Sequence, residues 1–157
     1  MPSHFEAAHA AKKTVEVPIC SWRFVIFPTD GISAIGTRNL GGSTAIVLAS
    51  PRAAIVAHLR PELDTASFMN ELLRFYKKND QEFPQGHPAF IICARKGEAP
   101  LYPQQVAIIQ QVFRRNGLLV PPVKSYEPSG QGTVFVDARP PSGQRLVPVE
   151  NRVVAQF

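Results

Sequence analysis

Two six-residue runs, Thr44 to Ala49 and Ala53 to His58, are almost wholly apolar and are separated only by Ser50-Pro51-Arg52. A continuous apolar run of this length reads as a strand buried on both faces. Pro51 turns the chain, so the two runs are expected to form a hairpin in the middle of the fold. Such a hairpin needs a cover on each side, and the remaining elements have to supply two layers.

The rest of the chain contains candidates for both. Thr14 to Ile19 and Trp22 to Phe27 are β-rich, with a turn at Pro28-Thr29-Asp30-Gly31. Gly36 to Gly42 shows no periodicity and reads as a loop. Asp64 is an N-cap candidate for a helix over Thr65 to Lys78, where Phe68, Leu72, Phe75 and Tyr76 share one stripe. Ala89 to Ala94 reads as another buried strand. Pro103 opens a second amphipathic helix carrying Val106, Ile109, Val112 and Phe113, which stops at Asn116-Gly117.

Leu118 to Val123 reads as a strand, with Pro121-Pro122 marking an edge or kink. Thr133 to Ala138 and Leu146 to Val154 read as a hairpin joined across Pro140-Pro141-Ser142-Gly143. This order predicts an α/β fold of the α+β kind: a layered α/β/β sandwich of largely antiparallel sheets with two main helices on one side. The 157 residues, 45% hydrophobic and 18% charged, suit one domain over 14–157, preceded by a flexible tail over 1–13.

Several function classes are disfavoured. The net charge of +5 comes from scattered pairs such as Lys77/Lys78 and Arg114/Arg115 at predicted helix ends, where cations complement the helix dipole. No RNP, zinc-finger or helix-turn-helix pattern accompanies them, so no nucleic-acid partner is expected. Met1 to Lys13 has no long apolar core, which predicts neither a secretory leader nor a membrane partner, and a cytoplasmic location. Cys20 and Cys93 stand far apart in apolar settings and are expected to be buried packing residues. His4, His9 and His87 lack metal-ligand spacing, so neither a metal nor another cofactor is expected.

The segment Gly36-Thr37-Arg38-Asn39-Leu40-Gly41-Gly42-Ser43 is the chemical centre of the sequence. It approaches a phosphate-loop pattern, but glycine replaces the required lysine and a strand follows where a helix should begin. It can also be a plain turn between strands. A hydroxyl after paired glycines, with His58 returning on the next strand, is also how a nucleophile and a base are brought together.

Thr37 to Pro51, with Ala57-His58 and Pro61, resembles the CheD family of chemoreceptor glutamine deamidases. Some twenty-five residues carry the resemblance as motif, and residues 15 to 150 more weakly as topology. It implies that Ser43 stands at the position of the nucleophilic cysteine, with His58 as base and Thr37 as the third member of the trio. Gly41, Gly42 and Ser43 would supply backbone N–H groups to an oxyanion. Ser129-Gly130-Gln131-Gly132 departs from the family pattern, so no substrate contact is carried over there.

The expected substrate is a protein glutamine side chain, or a small amide or ester. The serine leaves three readings open: an engineered replacement of cysteine, a natural serine nucleophile, or a catalytically silent relative. A binding module that kept the fold is the rival to the enzyme. An esterase or cyclase acting on a small metabolite is a third reading.

Overall fold

The computed structural model describes residues 14–27, 32–84, 86–128, 132–138, 145–149 and 152–157. In chain order the strands are β1 (Thr14–Glu16), β2 (Ser21–Ile26), β3 (Ala34–Thr37), β4 (Thr44–Ala49), β5 (Ala53–Leu59), β6 (Ala89–Lys96), β7 (Ala99–Pro100), β8 (Val123–Tyr126), β9 (Val134–Asp137), β10 (Leu146–Val149) and β11 (Arg152–Gln156). Helix α1 (Thr65–Lys78) follows β5, and α2 (Pro103–Arg115) follows β7.

The apolar hairpin is central, as its composition requires. β4 and β5 pair antiparallel in a sheet ordered β2-β5-β4-β6-β7, with β8 parallel to β6. A second sheet runs β1-β3-β9-β10-β11, antiparallel except for the β1/β3 pair. Among the described residues the fold is α+β, with two α-helices and two mostly antiparallel sheets in a layered sandwich. Alternation along the hairpin sorts its side chains between two cores. Ile46, Leu48, Ile55, Ala57 and Leu59 pack against Met69, Leu72 and Leu73 of α1 and Ile109, Val112 and Phe113 of α2.

On the opposite face, Ala45, Val47, Ala54 and Val56 meet Ile35, Val134, Val136, Val147 and Val149 of the second sheet. Each fully buried Leu or Ile here contributes about 1.5–3 kcal/mol of burial. The helix boundaries agree with the capping logic. Asp64 Oδ1 accepts from Ser67 N–H at 3.2 Å, and Pro103 stands at the start of α2, where its missing N–H costs nothing.

Four expectations are corrected. The segment Gly36 to Gly42 is not all loop: Gly36 and Thr37 belong to β3, which pairs with β9. β1 ends at Glu16 instead of reaching Ile19, because Pro18 cannot donate to a ladder. Pro121-Pro122 likewise delay the strand expected from Leu118, so β8 runs from Val123 to Tyr126; Pro122 still accepts from Ile91 N–H at 3.0 Å. The run Leu146 to Val154 is divided between β10, which pairs with β9, and β11, which folds back on β10. The expected tail over 1–13 and the turns at Pro28–Gly31 and Pro140–Gly143 lie outside the described residues.

Candidate active site

Thr37 ends β3 in one sheet, and His58 lies near the end of β5 in the other. Alternation turns Thr37 to the same side as Ile35, and His58 to the same side as Ala54 and Val56, so both side chains enter the space between the sheets. They meet there. Thr37 Oγ1 is 2.8 Å from His58 Nδ1 and 3.0 Å from the carbonyl oxygen of Val17. Thr37 is fully buried, and His58 is 2% exposed.

A proton count sets the tautomer. The Thr37 hydroxyl has one proton, and the Val17 carbonyl can only accept, so that proton goes to Val17. Towards the imidazole Thr37 is then an acceptor, and Nδ1 carries the hydrogen. The lone pair of neutral His58 is therefore on Nε2, which is buried and has no hydrogen-bond partner among the described residues. A buried polar atom left without a partner calls for an explanation, and a base held ready for a substrate proton is one. His58 also lines an open pocket of about 390 Å³, together with Glu16, Val17, Pro18, Ile19, Arg38 and Asn39.

Burial, and secondarily the positive charge of Arg60, push the His58 pKa below its usual 6.5. This makes a stability prediction. The unfolded chain protonates His58 near pH 6.5 while the folded protein still resists, so unfolding takes up a proton in that window. The stability due to neutral His58 is present above pH 6.5 and is lost as pH falls from there towards the folded pKa. Melting temperatures between about pH 7.5 and 5 are expected to decline with a steeper slope in the native protein than in His58→Gln; equal slopes would contradict it.

The glycine turn is held by its own bonds. Ser43 N–H donates to Leu40 O at 2.8 Å, closing a turn whose central residues Gly41 and Gly42 have φ of +50° and +101°. Both angles favour glycine, as in turns of the I′ kind. Gly42 N–H donates to Tyr126 Oη at 2.9 Å, and Tyr126 Oη donates to Ser43 O at 2.7 Å. The oxyanion role expected of Gly41, Gly42 and Ser43 is thus not ready-made, since the N–H groups of Gly42 and Ser43 already have internal acceptors.

Ser43 is close to His58 along the sheet but is not bonded to it. Ala45 is the cross-strand partner of His58, and Ser43 stands two residues before it, at the end of the turn that leads into β4. His58 Nε2 has no partner, so no Ser43–His58 hydrogen bond exists, and Ser43 is not in the wall of the His58 pocket. The structure brings Thr37 and His58 into contact and leaves Ser43 one step away, 4% exposed.

Two polar residues that the sequence does not single out fix this arrangement. Gln105 of α2 accepts from Thr44 Oγ1 at 2.9 Å and donates to Arg60 O at 2.8 Å and Thr65 Oγ1 at 3.2 Å. It ties the residue after Ser43 to the end of the His58 strand from behind. A signal for it exists, because Gln105 sits four residues before Ile109 on the apolar stripe of α2. Tyr126 has no local signal, because nothing along β8 records the distant turn that it binds.

Cys20, expected to be buried, is exposed in the turn before β2 with φ of +58°. Cys93 is buried, as expected, and burial raises its pKa. Asp64 caps its helix, as expected. Among the described residues, no helix is long and apolar enough to cross a membrane, and no three His, Cys, Asp or Glu side chains converge as metal ligands would. The chain matches no protein-family model, and no curated protein matches it.

Proposed function

We propose that the chain is an amide hydrolase or acyl-transfer enzyme of the glutamine-deamidase type, as its resemblance to the CheD family implies. In this reading residue 43 is the nucleophile, His58 the general base and Thr37 the group that orients the imidazole. The observation that carries it is the Val17–Thr37–His58 relay, which fixes the tautomer with the Nε2 lone pair buried and unpartnered among the described residues. A glutamine side chain, or a small amide or ester, entering beside His58 is the substrate class.

The chemistry balances without a cofactor. His58 Nε2 takes the Ser43 Oγ proton as Oγ attacks the carboxamide carbon. The imidazolium then returns a proton to the leaving nitrogen, ammonia departs and an ester remains. Water, deprotonated by the same Nε2, hydrolyses the ester to a carboxylate. Thr37 accepts from Nδ1–H throughout but cannot offset the imidazolium charge as a carboxylate would. A buried His58 is consequently a weak base for a hydroxyl and a better one for a thiol, whose pKa of about 8.5 is far lower than an alcohol's.

Ser43→Cys is therefore expected to raise ammonia release from glutamine peptides and small amides by about tenfold or more. In the same protein, iodoacetamide should label the introduced thiol faster than the exposed Cys20. Silence of both forms on the amide panel, with the introduced thiol labelled no faster than Cys20, would overturn the reading.

One observation favours a second reading. With the Gly42 and Ser43 N–H groups already bonded and Ser43 unbonded to His58, the pocket suits a non-catalytic binding module that holds a partner side chain. An ester and a lactone in the panel test the small-metabolite variant of the same chemistry.

A further inference from the structure

Two glycines in succession leave a chain with many conformations to choose from, and a side chain placed after them has no fixed direction of its own. The turn before residue 43 is nevertheless bonded at Leu40, Gly42 and Ser43. Besides the Leu40–Ser43 turn bond, the single hydroxyl of Tyr126 spans two consecutive residues, accepting from Gly42 N–H and donating to Ser43 O. Tyr126 is 2% exposed, and it sits at the end of β8, where it is the parallel partner of Ala94 on β6. The strand, not the turn, decides where its hydroxyl lies.

The ring is also held. A Cβ added to Gly132 would come within 2.9 Å of Tyr126 Cε2 and 2.7 Å of Leu40 Cβ, and Gly132 O accepts from Leu40 N–H at 3.2 Å. Gly132, at φ of +73°, leaves the ring just enough room and anchors the start of the turn. Turn, ring and strand form one rigid unit around residue 43.

We propose that Tyr126 is a positioning residue for the nucleophile, its hydroxyl locking the Gly41-Gly42 turn so that residue 43 is presented to the face of the sheet that carries His58. This role rests on the reading of residue 43 as the nucleophile. Tyr126 touches no reacting atom. It acts through the two peptide groups beside residue 43, and misplacing a reacting group by about 1 Å costs roughly a hundredfold in rate.

The test uses the full chain with Ser43→Cys as parent, compared with the same protein carrying Tyr126→Phe, which keeps the ring and removes only the hydroxyl. Iodoacetamide labelling of the introduced thiol is followed by peptide mass spectrometry from about pH 6 to 10, with Cys20 as internal reference. Tyr126→Phe is expected to slow that labelling at about pH 7 by about ten- to a hundredfold. It should also move the midpoint of the thiol's pH profile towards that of Cys20, leaving Cys20 unchanged. A purely structural tyrosine would lower the melting temperature without moving that midpoint, and this result would overturn the proposal.

An unchanged or faster labelling rate at position 43 in Tyr126→Phe overturns the positioning role alone, provided the parent shows His58-dependent labelling. A parent whose introduced thiol reacts no faster than Cys20 overturns the catalytic reading, and this role with it. Should Tyr126→Phe not fold, amide exchange in the native protein decides. Protection of Gly42 N–H supports the clamp, and exchange at the rate of a free peptide overturns it.

Discussion

Replacing His58 by alanine in the Ser43→Cys protein is expected to lower both ammonia release and alkylation of the introduced thiol at neutral pH by about 10²- to 10⁴-fold, the usual worth of a positioned general base. The effect should be large because, among the described residues lining the pocket, none is placed to take over the proton. Thr37 has already given its hydrogen to Val17, and the guanidinium groups of Arg38 and Arg60 are donors with no acceptor to offer. Glu16, in the pocket wall, is held by Arg38 Nε at 2.7 Å. Removing the imidazole leaves Thr37 its bond to Val17 within its own sheet and deletes only its contact with β5.

Thr37→Val should cost less. It deletes two neutral hydrogen bonds, to Val17 O and from His58 Nδ1, of which only the second holds the imidazole; that bond is worth about 1 kcal/mol, and so about five- to tenfold in rate. Thr37→Ser, which keeps the hydroxyl, should restore most of it. If His58→Ala left the labelling rate at position 43 where it was, the base assignment would fail, however well the protein folded.

Gly36→Ala is expected to destabilise the fold by about 3 kcal/mol, the upper range for forcing atoms into a filled site. In a chain of this size that corresponds to a drop of roughly 6–12 °C in melting temperature. The reason is room rather than backbone angle. A Cβ at Gly36 would lie 2.1 Å from Phe135 Cβ, 2.7 Å from Val134 O and 3.0 Å from Phe135 Cα. Those atoms are backbone or are attached directly to it, and they are paired with β3 in register, so no flexible tip can swing aside.

The only relief is to push β3 and β9 apart. Gly36 O accepts from Val17 N–H at 2.8 Å, and Thr37 is the next residue, so the same movement would pull the threonine from His58. Thermal or urea unfolding of Gly36→Ala checks the first effect, and alkylation in the Ser43→Cys background checks the second. A change below about 0.5 kcal/mol, the range of an ordinary surface substitution, would show that the two strands tolerate separation.

The elements legible in advance are those whose signal is local. The β4/β5 hairpin announces itself by two apolar runs around a proline, α1 by a stripe and the Asp64 cap, and α2 by a stripe between Pro103 and the Asn116-Gly117 stop. Thr37 and His58 stand out as candidate partners, yet their contact depends on two sheets facing each other. Thr37 reads as part of a loop because a four-residue strand shows too little periodicity, and its partner β9 lies about a hundred residues further on. Cys20 departs from its expected burial because apolar neighbours do not reveal that the chain turns at that residue with positive φ.

Composition and order therefore determined the layers of this protein: a strand that is apolar on both faces can persist only between two covers, and the chain supplied helices for one and further strands for the other. Tertiary structure alone decided the geometry of the candidate site. Which imidazole nitrogen keeps its lone pair depends on a carbonyl at Val17, and which way residue 43 faces depends on a hydroxyl at Tyr126. Hydrogen bonds of that kind join residues 20 and 83 positions apart, and no pattern along the sequence encodes a distance across the sandwich.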